Sequence, residues 1–257
     1  MPEKVEPSKV LGHGPIRLIA VAGWMGDHHL FDPMLPFIDG DRFTVALLDA
    51  RGYGSRQNVA GPFTIEQIAE DILLCADGLG WERFHVLGHS MAGMSVQRLL
   101  VDAPQRIISA MLVAPVPASG ARIDQERWKL LVTAITDPDA RKRLIDVNTG
   151  RVQTDDWLSV LRDASVAGTR PDALQAYMLS WMGPGFREEV RDVSVPVHVV
   201  IGQLDPGASE TRLRESIGTW FGNVEFSVLE ECGHYPMWER PEPFYRALVT
   251  GPLGHAL

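Results

Sequence analysis

The sequence is short of cysteine and of positive charge, and it has no long apolar run. Its 257 residues include two cysteines, Cys75 and Cys232, which are far apart and outside any metal-ligand spacing, so we expect neither a disulfide framework nor a structural zinc site. With 24 Lys and Arg against 33 Asp and Glu, the formal charge is −9, which argues against nucleic acid and anionic membranes as partners. No apolar run approaches the roughly 18–20 residues of a membrane span. The N-terminus lacks the basic-then-apolar order of a signal peptide, so we expect a reducing, cytoplasmic location.

What the chain does contain is an alternation of strand and helix patterns. Short, nearly continuous apolar runs are typical of strands covered on both faces. Between the second and third of these runs, residues 64–73 have helical apolar spacing and begin with a Thr-x-x-Gln capping box. Further helices are expected after Ser90 and after Pro206, and the alternation predicts an α/β fold with a mostly parallel sheet. The predicted strands are residues 16–22, 43–48, 84–87, 107–113, 197–201 and 224–229.

The alternation is interrupted between residues 118 and 192, where helical patterns are broken by Pro and Gly and no strand pattern occurs. We therefore predict a core domain formed by residues 1–117 and 193–257, with a helical cap domain at 118–192. Aromatic residues in this stretch have two interpretations. They pack the insertion against the core, or some of them line an apolar substrate pocket. The pocket candidates are Trp128, Trp157, Tyr177, Trp181 and Met182.

A serine between small residues stands where a predicted strand passes into a predicted helix, in Gly88-His89-Ser90-Met91-Ala92. A nucleophile on such a tight turn has strained backbone angles, so the positions two before and two after it must be small. This turn would hold the Ser90 hydroxyl above the sheet and direct the amide of Met91 toward a developing oxyanion.

Two later residues could activate that serine. Asp205 follows the predicted strand 197–201, and His234 follows the last one. The carboxyl ends of parallel strands are where open α/β sheets bind ligands. A serine nucleophile needs a base and an orienting acid, and the chain order Ser, acid, His suits this arrangement.

The chain resembles the α/β-hydrolase fold superfamily over essentially its whole length. The resemblance implies a mostly parallel central sheet flanked by helices, with a helical cap inserted after the sixth strand. It implies Ser90 as nucleophile, Asp205 as acid and His234 as base, with an oxyanion hole formed by the backbone amides of Trp24 and Met91. The motifs that carry it are residues 20–26, 49–54, 88–93, 202–205 and 232–237.

Two positions depart from the usual family pattern, and neither removes the chemistry. Ala22 stands where members commonly have His, and Ala92 stands where Gly is commoner. Both are small, so we expect an altered loop and an intact turn at the serine. Ser90 itself argues against a dehalogenase, which has Asp at that position.

The resulting expectation is a serine hydrolase that cleaves a small, fairly apolar carboxylic ester or lactone through an acyl-enzyme and requires no cofactor. A metal at Asp27-His28-His29 is not expected, because this cluster stands alone in the sequence. A cofactor-independent perhydrolase of the haloperoxidase type and a carbon–carbon bond hydrolase remain alternatives, as does a ligand-binding signalling module of the same fold. The oligomeric state is left open.

Overall fold

The computed structural model describes residues 4–251, which build one seven-stranded sheet with helices on both faces. The strand order is β1-β3-β2-β4-β5-β6-β7; β1 runs antiparallel to β3, and every other pairing is parallel. This confirms the predicted α/β fold. The strands are β1 Lys9–Gly12, β2 Ile16–Val21, β3 Phe43–Leu48, β4 Phe84–His89, β5 Ile107–Val113, β6 Val197–Gly202 and β7 Val224–Leu229.

Two helices begin or end at capping and stop residues that the sequence predicts. Thr64 caps the first one, since its Oγ1 accepts a hydrogen bond from the Gln67 amide at 3.2 Å. The second ends before Ala103-Pro104, where the ring of proline stops a helix. The helices are α1 Ile65–Gly78, α2 Met91–Asp102, α3 Gln125–Ala134, α4 Pro138–Asn148, α5 Asp155–Gly168, α6 Pro171–Trp181, α7 Glu210–Glu215, α8 Ile217–Trp220, α9 Pro236–Glu239 and α10 Pro241–Thr250, with a 3-10 segment at His28–Phe37.

Both faces of the sheet are buried. Along β2, Ile19 and Val21 belong to the apolar cluster that includes α1 and α2, whereas Leu18 and Ala20 belong to the cluster on the side of α10. Alternate residues of a strand point to opposite faces, so a nearly continuous apolar run places apolar side chains in both clusters. This explains why the runs lack the alternation of a half-exposed strand.

The helical segment 118–192 contains α3 to α6 and lies between β5 and β6. The expected position after the sixth strand is therefore corrected: within the described residues the segment follows the fifth strand. The reason is that only one strand, the antiparallel edge strand β1, precedes β2 in residues 4–15. Leu131, Leu144 and Leu174 of this segment share one apolar cluster with the sheet. The division into a core domain and a cap domain remains a prediction.

Across residues 4–251, we find no helix with both the length and the apolar character needed to cross a bilayer.

Candidate active site

Ser90 stands on a strained turn between β4 and α2. Its φ of +53° lies in the left-handed region that side chains other than glycine rarely adopt. The Ser90 amide donates a hydrogen bond of 2.8 Å to the carbonyl of Val113 on β5, which ties the turn to the sheet. A Cβ at Gly88 would lie 2.4 Å from the carbonyl oxygen of Ala92, so the turn needs a residue without a side chain there. The backbone turn therefore holds Ser90 at the carboxyl end of the sheet.

The structure brings Ser90, His234 and Asp205 together. His234 Nε2 lies 2.9 Å from Ser90 Oγ, and His234 Nδ1 lies 2.5 Å from Asp205 Oδ2. Each residue follows a different parallel strand, β4, β6 or β7, and those strands end at one edge of the sheet. The imidazole therefore bridges a hydroxyl and a carboxylate, an arrangement that can take the serine proton and stabilise the resulting imidazolium.

Asp205 is buried and held as an ionised acceptor. Burial acts to raise the pKa of Asp205, but the adjacent His234 and the amides of Gly207 and Ala208 lower it below its ordinary value. Those two amides donate to Oδ1 at 2.8 and 3.2 Å, which leaves Oδ2 for the imidazole. An acceptor of this kind orients the His234 ring with Nδ1 protonated and Nε2 facing Ser90.

His89 connects two loops of the site. Its Nε2 lies 2.8 Å from the carbonyl oxygen of His234, so this nitrogen carries the proton, since a carbonyl only accepts. Its Nδ1 accepts a hydrogen bond of 3.2 Å from the Gly23 amide. Burial, together with the nearby His234, lowers the pKa of His89 to about 3, so the ring is neutral and keeps this tautomer. The neutral ring links the loop before Trp24 to the loop that carries His234.

The two residues predicted to form an oxyanion hole, Trp24 and Met91, lie next to Ser90: Met91 follows it in the chain, and Trp24 lines the same cavity. Met91 is the first residue of α2, where backbone N–H groups lack partners within the helix. A Cβ at Gly23 would lie 2.7 Å from Ser90 Cβ, so the bare glycine lets the Trp24 loop approach the serine. The Trp24 indole N–H donates to the Leu174 carbonyl of α6 at 2.8 Å, which fixes the loop against the helical segment.

A cavity of about 420 Å³ opens onto these residues. Its lining includes Ser90 and His234 from the sheet edge and Leu131 and Leu144 from α3 and α4. This volume lies in the range of sites for small molecules. Trp181 also lines the cavity, and its ring packs edge-on against Trp24 with 5.8 Å between centroids.

The other four predicted pocket residues lie outside the lining of this cavity. Tyr177 is buried and its hydroxyl donates to the Arg51 carbonyl at 3.1 Å, while Trp157 packs edge-on against Trp238. Trp128 is 37% exposed, and Met182 packs on the main apolar cluster. A helix directs only one side toward the cavity, and these aromatic rings lie on the sides that cover the core or face solvent.

Sequence reasoning missed the polar residues of the same cavity. Arg127 and Asn148 line it, and a guanidinium nitrogen of Arg127 donates to Asn148 Oδ1. Both residues stand in helices among other charged and polar residues, a pattern that indicates a solvated face. Only the packing of α3 and α4 over the sheet edge shows which of their polar side chains turn inward.

The cluster Asp27-His28-His29 does bring possible metal ligands within 4.8 Å of one another. Here these side chains form hydrogen bonds: His28 Nδ1 lies 2.8 Å from Asp49 Oδ2, and His29 Nδ1 lies 3.1 Å from Asp27 Oδ1. The Asp49 carboxylate also accepts from Ser55 at 2.8 Å, so the network ties the loop after β2 to the loop after β3.

Known proteins resemble this chain in sequence and in fold. The sequence model described as the alpha/beta hydrolase fold matches residues 16–137. The dihydrolipoyllysine-residue acetyltransferase component of the acetoin cleaving system of Cupriavidus necator is 38% identical over 109 residues, which are 41% of this chain and only 28% of that protein. A 2-hydroxy-6-oxononadienedioate/2-hydroxy-6-oxononatrienedioate hydrolase of Paraburkholderia xenovorans is 26% identical over 93% of this chain and 83% of its own. The enol-lactonase of Burkholderia xenovorans superposes with a TM-score of 0.79 over 94% of each chain, at 24% identity.

Proposed function

Because the chain is an enzyme that belongs to the α/β-hydrolase fold superfamily, we propose that it hydrolyses a small carboxylic ester or lactone through an acyl-enzyme on Ser90. The observation that carries the proposal is the hydrogen-bonded series Ser90–His234–Asp205 at the end of a substrate-sized cavity. The relative named as a hydrolase, which aligns over 93% of this chain, supports hydrolysis as the general class of reaction.

The first half of the proposed reaction forms the acyl-enzyme. Ser90 Oγ attacks the carbonyl carbon as His234 Nε2 takes the hydroxyl proton, and the carbonyl electron pair moves onto oxygen. The positive imidazolium is stabilised by Asp205, whose lowered pKa keeps it ionised. Collapse of this intermediate breaks the bond to the alkoxy oxygen, which receives the proton from His234. In an ester the alcohol departs, and in a lactone it stays attached to the acyl chain.

The second half releases the acid. His234 takes a proton from water as the water oxygen attacks the acyl carbon, and collapse of the second intermediate returns Ser90 Oγ with that proton. In both halves the negative oxygen would receive hydrogen bonds from the amides of Met91 and Trp24. The start of α2 at Met91 and the close approach of the Trp24 loop support this role.

The cavity wall supports a substrate with an apolar body. Trp24, Leu131, Leu144 and Trp181 supply rings and branched chains around the space next to Ser90. Apolar walls bind a ligand through the apolar surface that it buries against them, and a few polar groups set its orientation. The proposed substrate is therefore a short ester or lactone whose carbonyl faces Ser90 and whose carbon chain lies against these residues.

The decisive experiment compares Ser90→Ala with a matched control, Ser95→Ala. Both changes remove the hydroxyl of a buried serine, Ser90 just before α2 and Ser95 within it. Within residues 4–251, however, Ser95 Oγ has no hydrogen-bond partner, and Ser95 is not part of the cavity lining. Turnover of p-nitrophenyl acetate and of δ-valerolactone should fall about 10⁶-fold in Ser90→Ala and remain in Ser95→Ala. A fluorophosphonate should label Ser90 of the wild type, as mass spectrometry would detect. Unchanged turnover in Ser90→Ala would exclude the proposed nucleophile.

A second candidate reaction is supported by the relative from Paraburkholderia xenovorans, which aligns over 93% of this chain. The carbon–carbon bond hydrolysis that the sequence left open would use the same three side chains on a ketone. A β-diketone in the same assay separates the two reactions: cleavage of the diketone without cleavage of esters would favour this second candidate.

A further inference from the structure

The cavity next to Ser90 has charge of one sign only. Four arginines contribute to its lining, and no Asp or Glu among the described residues does; the arginines are Arg122, Arg127, Arg187 and Arg212. The chain as a whole has the opposite balance, with 33 acidic against 24 basic side chains. A concave site lined by one sign of charge focuses the field and concentrates ligands of the opposite sign. The cavity is therefore cationic in an acidic protein.

Arg127 differs from the other three arginines because it is half-buried, whereas they are exposed. It stands in the first turn of α3, and within residues 4–251 no carboxylate forms an ion pair with it. Its described side-chain partner is the neutral Asn148 Oδ1. Burial lowers the pKa of Arg127, although the nearby Tyr235, Asp205 and Asp124 act to raise it. An arginine in a protein nevertheless stays protonated.

A partly buried guanidinium without an ion pair lowers the stability of the folded state. The contact between α3 and α4 does not require a charged side chain at position 127. Burying a charge without a counter-charge disfavours the folded state. A neutral side chain on α3 could donate to Asn148 at lower cost, and a guanidinium has five N–H donors, of which this contact uses one. The remaining donors belong to a side chain that lines the cavity with Ser90 and His234.

The other three arginines are exposed and serve a different purpose. Arg187 already pairs with Glu188 at 2.9 Å, and Arg212 donates weakly to the Gly207 carbonyl at 3.3 Å. Exposed charges contribute little to binding energy, since water and salt screen them. Arg122 and Arg212, which form no ion pair within residues 4–251, add positive charge that raises the rate at which an anion reaches the cavity.

We propose that the substrate is an anion, a small ester or lactone that carries a carboxylate, and that Arg127 binds this carboxylate while the reacting carbonyl lies at Ser90. The inference rests on the proposed hydrolysis at Ser90. A planar guanidinium suits a planar carboxylate, because two parallel N–H···O bonds form at once. The apolar wall from Leu131 to Trp181 then accommodates the carbon chain between the two ends.

The test uses two substrates that differ in one charge, p-nitrophenyl hydrogen glutarate and its methyl ester, methyl p-nitrophenyl glutarate. The wild type should hydrolyse the anionic ester with the higher kcat/KM. Arg127→Met should lower kcat/KM for the anionic ester about 10- to 100-fold, mainly through KM, and change the neutral ester little. Arg127→Lys should recover part of the loss. Arg143→Met is the control, because Arg143 is exposed on α4 and does not line the cavity.

The outcomes distinguish a failure of carboxylate binding by Arg127 from a failure of the proposed hydrolysis at Ser90. Equal losses for both esters in Arg127→Met, or no preference of the wild type for the anion, would contradict carboxylate binding by Arg127. Loss of both activities in Ser90→Ala with no charge preference would keep the proposed function and overturn this inference. Turnover that survives in Ser90→Ala would instead overturn the proposed function.

Inhibition of the wild type gives an answer even if Arg127→Met does not fold. Glutarate monomethyl ester, an anion, should compete with the neutral ester more strongly than dimethyl glutarate does, and added salt should weaken that competition. Equal inhibition by the two compounds would contradict the proposal. Stronger competition by inorganic phosphate than by the monomethyl ester would show a phosphate site in place of a carboxylate site.

Discussion

The carboxyl edge of the sheet and the helical segment 118–192 position their side chains by different means. At the edge, Ser90, Asp205 and His234 each follow a strand, and parallel strands bring those positions together whatever lies above them. In the helical segment, Trp181 lines the cavity whereas Tyr177, one turn earlier on the same helix, is buried against Arg51. Chain order therefore predicts which residues meet at the carboxyl edge of the sheet. Side-chain packing decides which residues of the helical segment line the cavity.

The largest expected effect is at the edge. Asp205→Asn should lower kcat about 10⁴-fold, because an amide no longer holds His234 with Nδ1 protonated and Nε2 free to accept. Steady-state kinetics on p-nitrophenyl acetate measures the loss. Asp156→Asn is the matched change in the helical segment, at an exposed position on α5, and should leave kcat unchanged. If the two variants behaved alike, the contrast between edge and segment would not hold.

The histidines that titrate on acidification lie outside the helical segment, since residues 118–192 contain none. Burial lowers the pKa of His85 on β4 to about 4, so between pH 6.5 and 4 the unfolded state binds more protons than the folded state. The stability that neutral His85 permits is complete above pH 6.5 and is lost as the pH falls. His85 by itself contributes a slope of at most about 1.4 kcal/mol of unfolding free energy per pH unit. His28 acts in the opposite sense, because its hydrogen bond to Asp49 raises its pKa.

Urea unfolding of the wild type and of His85→Gln between pH 7 and 4.5 measures this effect. The variant should show the smaller loss of unfolding free energy over that range, and the groups common to both proteins cancel in the difference. Parallel curves for the two proteins would show that His85 does not titrate with a depressed pKa.

The smallest expected effect is at Tyr177 of the helical segment. Tyr177→Phe removes the hydroxyl that donates to the Arg51 carbonyl and should lower the unfolding free energy by about 1 kcal/mol. It should leave kcat/KM unchanged, because Tyr177 lies outside the cavity lining. Tyr245→Phe, on α10 with its ring stacked against Phe37, is the control. A change in KM for Tyr177→Phe would indicate that Tyr177 contributes to substrate binding after all.

The limits of prediction follow the same division. Strands β2 to β7 and the caps of α1 and α2 follow from local signals, such as apolar runs, Thr64 and Ala103-Pro104. The edge strand β1 was missed because its four residues, Lys9–Gly12, offer two apolar side chains and half-exposed positions. Arg127 was missed because nothing in the local pattern of α3 separates an inward arginine from a solvated one.

The sequence by itself determined the parallel α/β sheet, the strained turn at Ser90 and the order in which Ser90, Asp205 and His234 leave their strands. Those features depend on backbone geometry and on the two-residue period of a strand, which local residue types specify. Only the tertiary structure decided that Trp181 and Arg127 line the cavity while Trp128, Trp157, Tyr177 and Met182 do not. The physical reason is that the direction of a helical side chain depends on how the helix packs against distant parts of the chain, which close packing settles for the whole molecule at once.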